Sequence, residues 1–324
     1  MVEETVIKKI LTKNHLDEAT KVSLFSGGQI NSVYQIGESL VLKVENDLDV
    51  TPHQPEIMNL ALRAGAKVPK ILDFGQIDGK RYLLMSKISG RKLSEDWFSF
   101  SAEQKENLIR QITDQLKIFH SIGFAKYSSR RPNEFDNWAA AIDWLTNIER
   151  VEINKMAGRH RENFELVRDF YFSHKQILND SDPPVLVHND LHFENILHEG
   201  GELTGIIDFD FARQAPKDYE LWHLLDSLRV PQQFVEEKLK KPWENFKVGQ
   251  EIIWFKKYYP ELFKKKDLIT RIKLYITEDI VGDLLDGSLE KFNQKVDDYF
   301  RNDWLEKNLP PPQPSPIVAM KEGD

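Results

Sequence analysis

The chain has 324 residues, 40% hydrophobic and 30% charged, long enough for two lobes with their own cores and within the ordinary range of soluble globular proteins. Its 44 Lys and Arg against 52 Asp and Glu leave a formal charge of -8, which argues against a nucleic-acid coat and favours cationic ligands. No cysteine is present, so disulfides, thiolate zinc sites and cysteine nucleophiles are excluded.

The first residues, MVEETVIKKILTKNHLDEAT, carry acidic side chains and no apolar h-region, so they do not read as a signal peptide. No run approaches the roughly eighteen uncharged apolar residues of a membrane helix. A soluble, cytoplasmic protein with no membrane or nucleic-acid partner is expected.

From residue 21 to 45 the pattern is β: KVSLF, a Ser-Gly-Gly turn, SVYQI, a turn at Gly37, then SLVLKV. PEIMNLALRAG follows with apolar residues at helical spacing and a stop at Gly65. KILDFGQI and KRYLLMSKI, separated by Asp78-Gly79, predict a further hairpin. Together these predict a five-stranded antiparallel sheet with one helix inserted after its third strand.

Beyond Ser89-Gly90 long amphipathic segments predict helices over about 102–121, 134–151 and 161–178. Residues 183–210 differ, with short β-like runs (PVLVH, NILHE, LTGIIDF) around polar turns. Helical patterns rich in Trp, Phe and Tyr return from 218 to 309. The tail PPPQPSPIVAMKEGD has too many prolines for a helix and is expected to be extended or disordered. The expected organisation is an α+β, two-lobed chain: a β-rich lobe over 1–88, a mainly helical lobe over 89–310 and a tail over 311–324.

The segment VLVHNDLHFENILHEGGELTGIIDFDFA carries the chemistry. Asn195 follows Asp190 by five positions, and Asp208 follows thirteen later at the end of an apolar strand, the order and spacing of a kinase catalytic loop and its metal-binding acid. Phosphoryl transfer uses a carboxylate to accept a hydroxyl proton, an amide oxygen to ligate a metal and a second carboxylate on the metal. Asp190, Asn195 and Asp208 fill those roles in that order. Other readings of the segment are a solvated turn capped by its own acids, or a divalent-metal cluster of His188, His192 and His198 serving a hydrolase.

At these residues the chain resembles the aminoglycoside phosphotransferase and choline kinase superfamily, whose loop runs His-Gly-Asp, a few residues, Asn, then a strand ending Ile-Asp. The resemblance implies a protein-kinase-like fold and a small-molecule kinase. Such an enzyme moves the γ-phosphate of ATP or GTP to an alcohol on Mg2+, with His188 holding the loop. His192 and His198 are then surface or packing residues. Two departures stand out: Asn189 where the family has Gly, and a second acid, Asp210, which is kept as a possible further ligand.

The first lobe should then hold the nucleotide. Lys43 is a lone cation in the apolar strand Leu40-Val41-Leu42-Lys43-Val44, and is assigned to the phosphates rather than to water at a sheet edge. Glu56, thirteen residues on, is the candidate carboxylate to position it, or simply a first-turn acid favoured by the helix dipole. Ser26, Gly27 and Gly28 lie where a kinase folds a loop over the phosphates, although a Gly-Gly pair also makes a plain hairpin turn. Ser86 and Ile88, in MSKISG, occupy the place of a hinge that offers backbone groups to the base, or of an ordinary linker.

Asp218 resembles the family's acid after the metal strand and is expected to cap a helix or anchor a loop. The acceptor is not named by the motif. Trp138, Trp144, Trp222, Trp254, Tyr258 and Tyr259 offer an aromatic cage or a core. Glu220, Asp226, Asp279, Asp283 and Asp286 offer ligands for amines or a charged helix face. The absence of Asp-Phe-Gly and Ala-Pro-Glu argues against a protein substrate. An aminoglycoside-like antibiotic kinase is the first reading, with choline, ethanolamine, homoserine or another metabolite as alternative acceptors. A non-catalytic nucleotide-binding module is the alternative of another class.

Overall fold

The computed structural model describes residues 2–17, 19–27, 31–45, 54–128 and 133–310. After helix α1 (Val2–Lys13), the apolar runs form strands β1 (Val22–Gly27), β2 (Asn31–Ile36) and β3 (Leu40–Glu45), then helix α2 (Gln54–Arg63) and strands β4 (Ile71–Ile77) and β5 (Lys80–Ser86). The five strands make one antiparallel sheet in the order β1-β2-β3-β5-β4. The β4–β5 turn has positive φ at both Asp78 and Gly79 (51° and 79°), as a type I′ turn requires.

Each face of this sheet has its own cover. Helix α1 was not expected from the sequence, yet Val6, Ile7, Ile10 and Leu11 form a stripe that packs on Leu42, Val44, Tyr82 and Leu84. Lys13 pins its end by donating to Asp73 (2.9 Å) and to the Tyr82 hydroxyl. On the other face Leu83 and Met85 join Ile57, Met58 and Ala61 of α2, and this cluster is continuous with the core of the helical region.

The rest of the chain runs through β6 (Arg91–Lys92), α3 (Leu93–Asp96), α4 (Ala102–His120), β7 (Tyr127–Ser128), β8 (Glu134–Phe135), α5 (Trp138–Thr146), α6 (Gly158–His174), β9 (Val185–Val187), β10 (Ile196–Glu199), β11 (Glu202–Ile206) and β12 (Arg213–Ala215). It closes with α7 (Glu220–Arg229), α8 (Lys240–Trp243), α9 (Gln250–Tyr258), α10 (Leu268–Leu285), α11 (Leu289–Val296) and α12 (Trp304–Asn308). A Ser101/Gln104 capping box starts α4. The helix expected over 134–151 is shorter: Asn137 caps it at the Ala140 N–H, and Asn147 ends it in the left-handed conformation. Residues 311–324, including the proline-rich tail, lie outside the described residues.

Short strands frame the chemical segment. β10 and β11 form a hairpin, β6 adds to β10, and β12 pairs antiparallel with β9. β12 had no counterpart in the sequence reading, because three residues, Arg-Gln-Ala, carry no strand pattern. The hairpin is locked to the sheet region: Ile206 donates its N–H to Lys67 O (2.8 Å), Lys67 Nζ donates to Leu203 O (2.6 Å) and Thr204 Oγ1 to Ser89 O (2.7 Å). A side chain at Gly205 would sit 2.4 Å from Ile88 Cδ1, so glycine is what lets β11 pass this close to the segment after β5. Among the described residues no helix is long and apolar enough to cross a membrane.

Candidate active site

The loop after β9 is held from behind by a buried carboxylate. Glu220, at the start of α7, accepts the His188 N–H on Oε2 (2.9 Å) and the Asn189 N–H on Oε1 (3.0 Å). Burial alone would raise its carboxyl, but the His120 imidazole at 3.6 Å and the His188 N–H hold it below the usual range. His188, fully buried, bonds Ile207 O through Nε2 (3.1 Å) and takes the Asp190 N–H on Nδ1 (3.3 Å). The imidazole thereby ties the loop to the strand that leads into Asp208.

Asn189 stands at φ +56°, the left-handed region that asparagine tolerates better than most residues. Its Oδ1 also accepts the buried Trp222 Nε1–H at 2.9 Å. The departure from glycine therefore supplies an acceptor that glycine lacks. Asn189→Ala adds backbone strain and orphans the indole N–H, and is expected to cost about 2–4 kcal/mol in denaturant unfolding. Asn189→Gly removes only the acceptor and should cost about half as much.

Asp190 is gripped on both oxygens. Asn195 Nδ2 donates to Oδ2 and to the Asp190 backbone O, each at 2.9 Å. His223 Nε2 and His192 Nε2 lie 3.1 Å and 3.5 Å from Oδ1. Burial would raise this carboxyl; the hydrogen bond from His192 and the proximity of His223 more than reverse that and hold it below the usual aspartate range. Asp190 is thus ionised at neutral pH. His192, read from the sequence as a surface or packing residue, is part of this site.

Asp208 also adopts positive φ (65°), and its carboxylate faces Lys43 of the sheet. Loss of hydration and the neighbouring Asp210 push it up to about 6, against the pull of Lys43. Lys43, 4% exposed, reaches from β3 to hydrogen-bond Asp210, and its Nζ lies 3.7 Å from Asp208 Oδ1. Burial would lower the ammonium, but Asp210 and then Asp208 keep it above the ordinary lysine range. Asn31 of β2 donates to the other oxygen of Asp210 at 2.6 Å, so two residues of the sheet clasp one acid of the helical lobe.

The donors here fit a hard divalent cation. Asn195 spends its amide N–H groups on Asp190, leaving Oδ1 for a metal, and the Asp208 and Asp210 carboxylates share the single Lys43 ammonium, so the set is one of hard oxygen donors. His188, His192 and His198 do not converge: among the described residues no group of three or more His, Asp or Glu is arranged to hold a metal. His198 instead lies against Asp96 and Phe100.

Other sequence-predicted residues fall as follows. Glu56 is exposed on the first turn of α2, and the carboxylates recorded against Lys43 are Asp210, Asp208 and Glu45, which corrects the expected Glu56 pairing. The rotation of α2 decides this, burying Ile57, Met58 and Ala61 instead. Ser26 and Gly27 end β1, pairing with Val33 and Ser32, and Gly28 lies outside the described residues. Ser86 gives its N–H to Lys70 O and Lys87 its N–H to Ser39 O, whereas no backbone bond takes the Ile88 N–H among the described residues.

The six aromatic candidates do not form a cage, and Tyr258 donates its hydroxyl to Glu106 at 2.9 Å. Trp138, Trp222, Trp254 and Tyr259 are buried core, and Trp144 is exposed beside Phe135. Most of the acids are answered within the protein: Glu220 by the loop, Asp226 by Arg229 and Tyr299, Asp279 and Asp283 by Lys295. Asp286 is exposed at the end of α10. Asp218 anchors its loop, accepting from Arg271 Nε (2.6 Å) and the Tyr275 hydroxyl (2.8 Å). Sequence reasoning missed the roles of Asn31, Glu220 and His223; the last two share one helical turn of α7, and that spacing was the available signal.

Comparison with known proteins gives a consistent result. A family model described as "Phosphotransferase enzyme family" matches residues 21–242. An aminoglycoside 3'-phosphotransferase of Enterococcus faecalis is 28% identical over 201 residues, spanning 59% of this chain and 73% of the relative. One from Staphylococcus aureus is 26% identical over 260 residues, spanning 74% and 93%. Among solved structures, a thermostable mutant of aminoglycoside phosphotransferase APH(4)-Ia in ternary complex with AMP-PNP and hygromycin B superposes with TM-score 0.68 at 15% identity, covering 92% of this chain and 98% of that one. The GDP complex of aminoglycoside 2'-phosphotransferase-IIIa gives 0.62 at 18% identity, covering 94% and 99%. With the loop after β9 held by Glu220, Lys43 3.7 Å from Asp208, and a family model that matches residues 21–242, the chain belongs to the phosphotransferase enzyme family.

Proposed function

We propose that the protein transfers the γ-phosphate of ATP or GTP to a hydroxyl of an aminoglycoside. The observation that carries this is the convergence of Asp190, Asn195 and Asp208 on a cleft closed from the other side by Lys43. Lys43 would exchange its carboxylate partners for the nucleotide phosphates, under a cover of Ser26, Gly27 and Gly28, while the Ile88 N–H meets the edge of the purine next to Ser86. Residues 1–88 and 89–310 would act as the two lobes around it. Asn195 and Asp208 would hold Mg2+, which when bound offsets the charge of the phosphates. Asp190, ionised and oriented, takes the proton as the acceptor O–H breaks and its oxygen bonds to the γ-phosphorus, while the β–γ bridging P–O bond breaks and the nucleoside diphosphate leaves with its electron pair.

The aminoglycoside class is supported by the two 3'-phosphotransferase relatives and by the charge of -8, which favours a polycation. A coupled nucleoside-diphosphate assay tests it, using an aminoglycoside with a free 3'-hydroxyl, its 3'-deoxy analogue, hygromycin B, streptomycin, choline and homoserine. Turnover is expected with the 3'-hydroxyl compound and none with its 3'-deoxy analogue, with full loss on chelation and recovery on adding Mg2+. Turnover of choline or homoserine alone would reassign the acceptor. Mg2+-dependent nucleotide binding without transfer to any acceptor would make the chain a binding module.

A further inference from the structure

His223 is an expensive choice for the place it occupies. Its ring lies in an aromatic box, edge-on to Trp222 (5.2 Å, 86°) and Phe234 (5.4 Å, 83°), with the side chain 13% exposed. Nδ1 is buried without a partner, which costs roughly 1–3 kcal/mol. Phenylalanine would fill the same box without that cost. What the imidazole has and a phenyl ring lacks is Nε2, and Nε2 stands 3.1 Å from Asp190 Oδ1. Burial pushes the imidazole down, so at neutral pH it is an uncharged ring with one N–H to place.

The helix that carries it strengthens the case. Glu220, three residues earlier on α7, holds the backbone of the loop. One rigid turn therefore sets both the loop that bears Asp190 and the ring beside its carboxylate. His192 also approaches Oδ1, at 3.5 Å, but it shares a contact with Asn195 (3.2 Å), so its removal would disturb an assigned metal ligand as well.

We propose that His223 is a positioning residue for the phosphoryl-transfer base, donating its Nε2–H to Asp190 Oδ1 while Asn195 holds Oδ2, so that the carboxylate is fixed in plane toward the acceptor hydroxyl. Apo contacts of this kind tighten when the acceptor docks. This rests on the assignment of Asp190 as base. The hydroxyl proton goes to Asp190, and His223 neither gains nor loses one.

Kinetics of H223F, H223Q, D190N and the H223F/D190N double variant test it, with MgATP or MgGTP and the aminoglycoside bearing a free 3'-hydroxyl. H223F keeps the ring packing and removes the donor, and kcat should fall roughly 10- to 100-fold with both KM values within about threefold. H223Q restores an N–H at similar reach and should recover most of that loss. In the D190N background H223F should add almost nothing, because its effect passes through the missing carboxylate. Equal kcat in H223F and H223Q, or a loss in H223F that multiplies undiminished onto D190N, would overturn the positioning role. Full turnover in D190N would instead remove Asp190 as base, and the proposal with it. Thermal unfolding checks each variant, and H223L serves as the donorless variant if H223F folds poorly.

Discussion

Asp190→Asn is expected to lower kcat by about 10²–10⁴-fold while the KM for nucleotide stays within about threefold. Asparagine matches aspartate in size: its carbonyl oxygen can keep the Asn195 donor while its NH2 meets the His223 ring, whose tautomer can change to accept, so the loop keeps its shape. What it loses is the ability to accept a proton, and the native carboxylate is ready to do so because nearby imidazoles hold it ionised despite its burial. The residues proposed to meet the phosphates are untouched: Lys43 is clasped by Asp210, and its Nζ lies 3.7 Å from Asp208 Oδ1. Steady-state kinetics with nucleotide and acceptor varied separately distinguishes the outcomes. Unchanged kcat would remove Asp190 from the chemistry, and a rise confined to nucleotide KM would make it a binding residue.

Much of the sheet was legible because its signals are local. Strand alternation, the Asp78-Gly79 turn and the glycine after α2 each depend on a few adjacent residues, and the structure has strands, turn and stop where those residues stand. The loop was legible for a related reason: Asp190 and Asn195 are neighbours in a tight turn, so their spacing is nearly their geometry. Rotation and long-range packing were not legible. Glu56 is close to Lys43 in sequence, yet the apolar stripe of α2 turns it to solvent, while Asp210, 167 residues away, makes the bond. Glu220 reads as a charged helix residue from composition and is wholly buried, because the first turn of α7 faces the open N–H groups of the loop. Helix α1 was missed because its four core residues sit among Lys, Glu and Thr, and only the outer face of the sheet gives them a partner.

Glu220→Ala is expected to damage stability and turnover together. The carboxylate is fully buried and accepts two backbone N–H groups, so its removal leaves both without a partner and the His120 imidazole without its nearest charge. Breaking such a buried arrangement costs about 3–5 kcal/mol, read as a shift of the denaturant midpoint. Glu220→Gln keeps one oxygen but turns an amide toward the second N–H, and should cost about 1–3 kcal/mol. Turnover should fall in the same order, since the loop bearing Asp190 loses its anchor on α7. Unaltered stability in both variants would mean that the loop is held by His188 and the β9–β12 pair alone. Set beside Asp190→Asn, which should cut kcat with little change in unfolding, the Glu220 series separates the group proposed to take the proton from the group that keeps it in place.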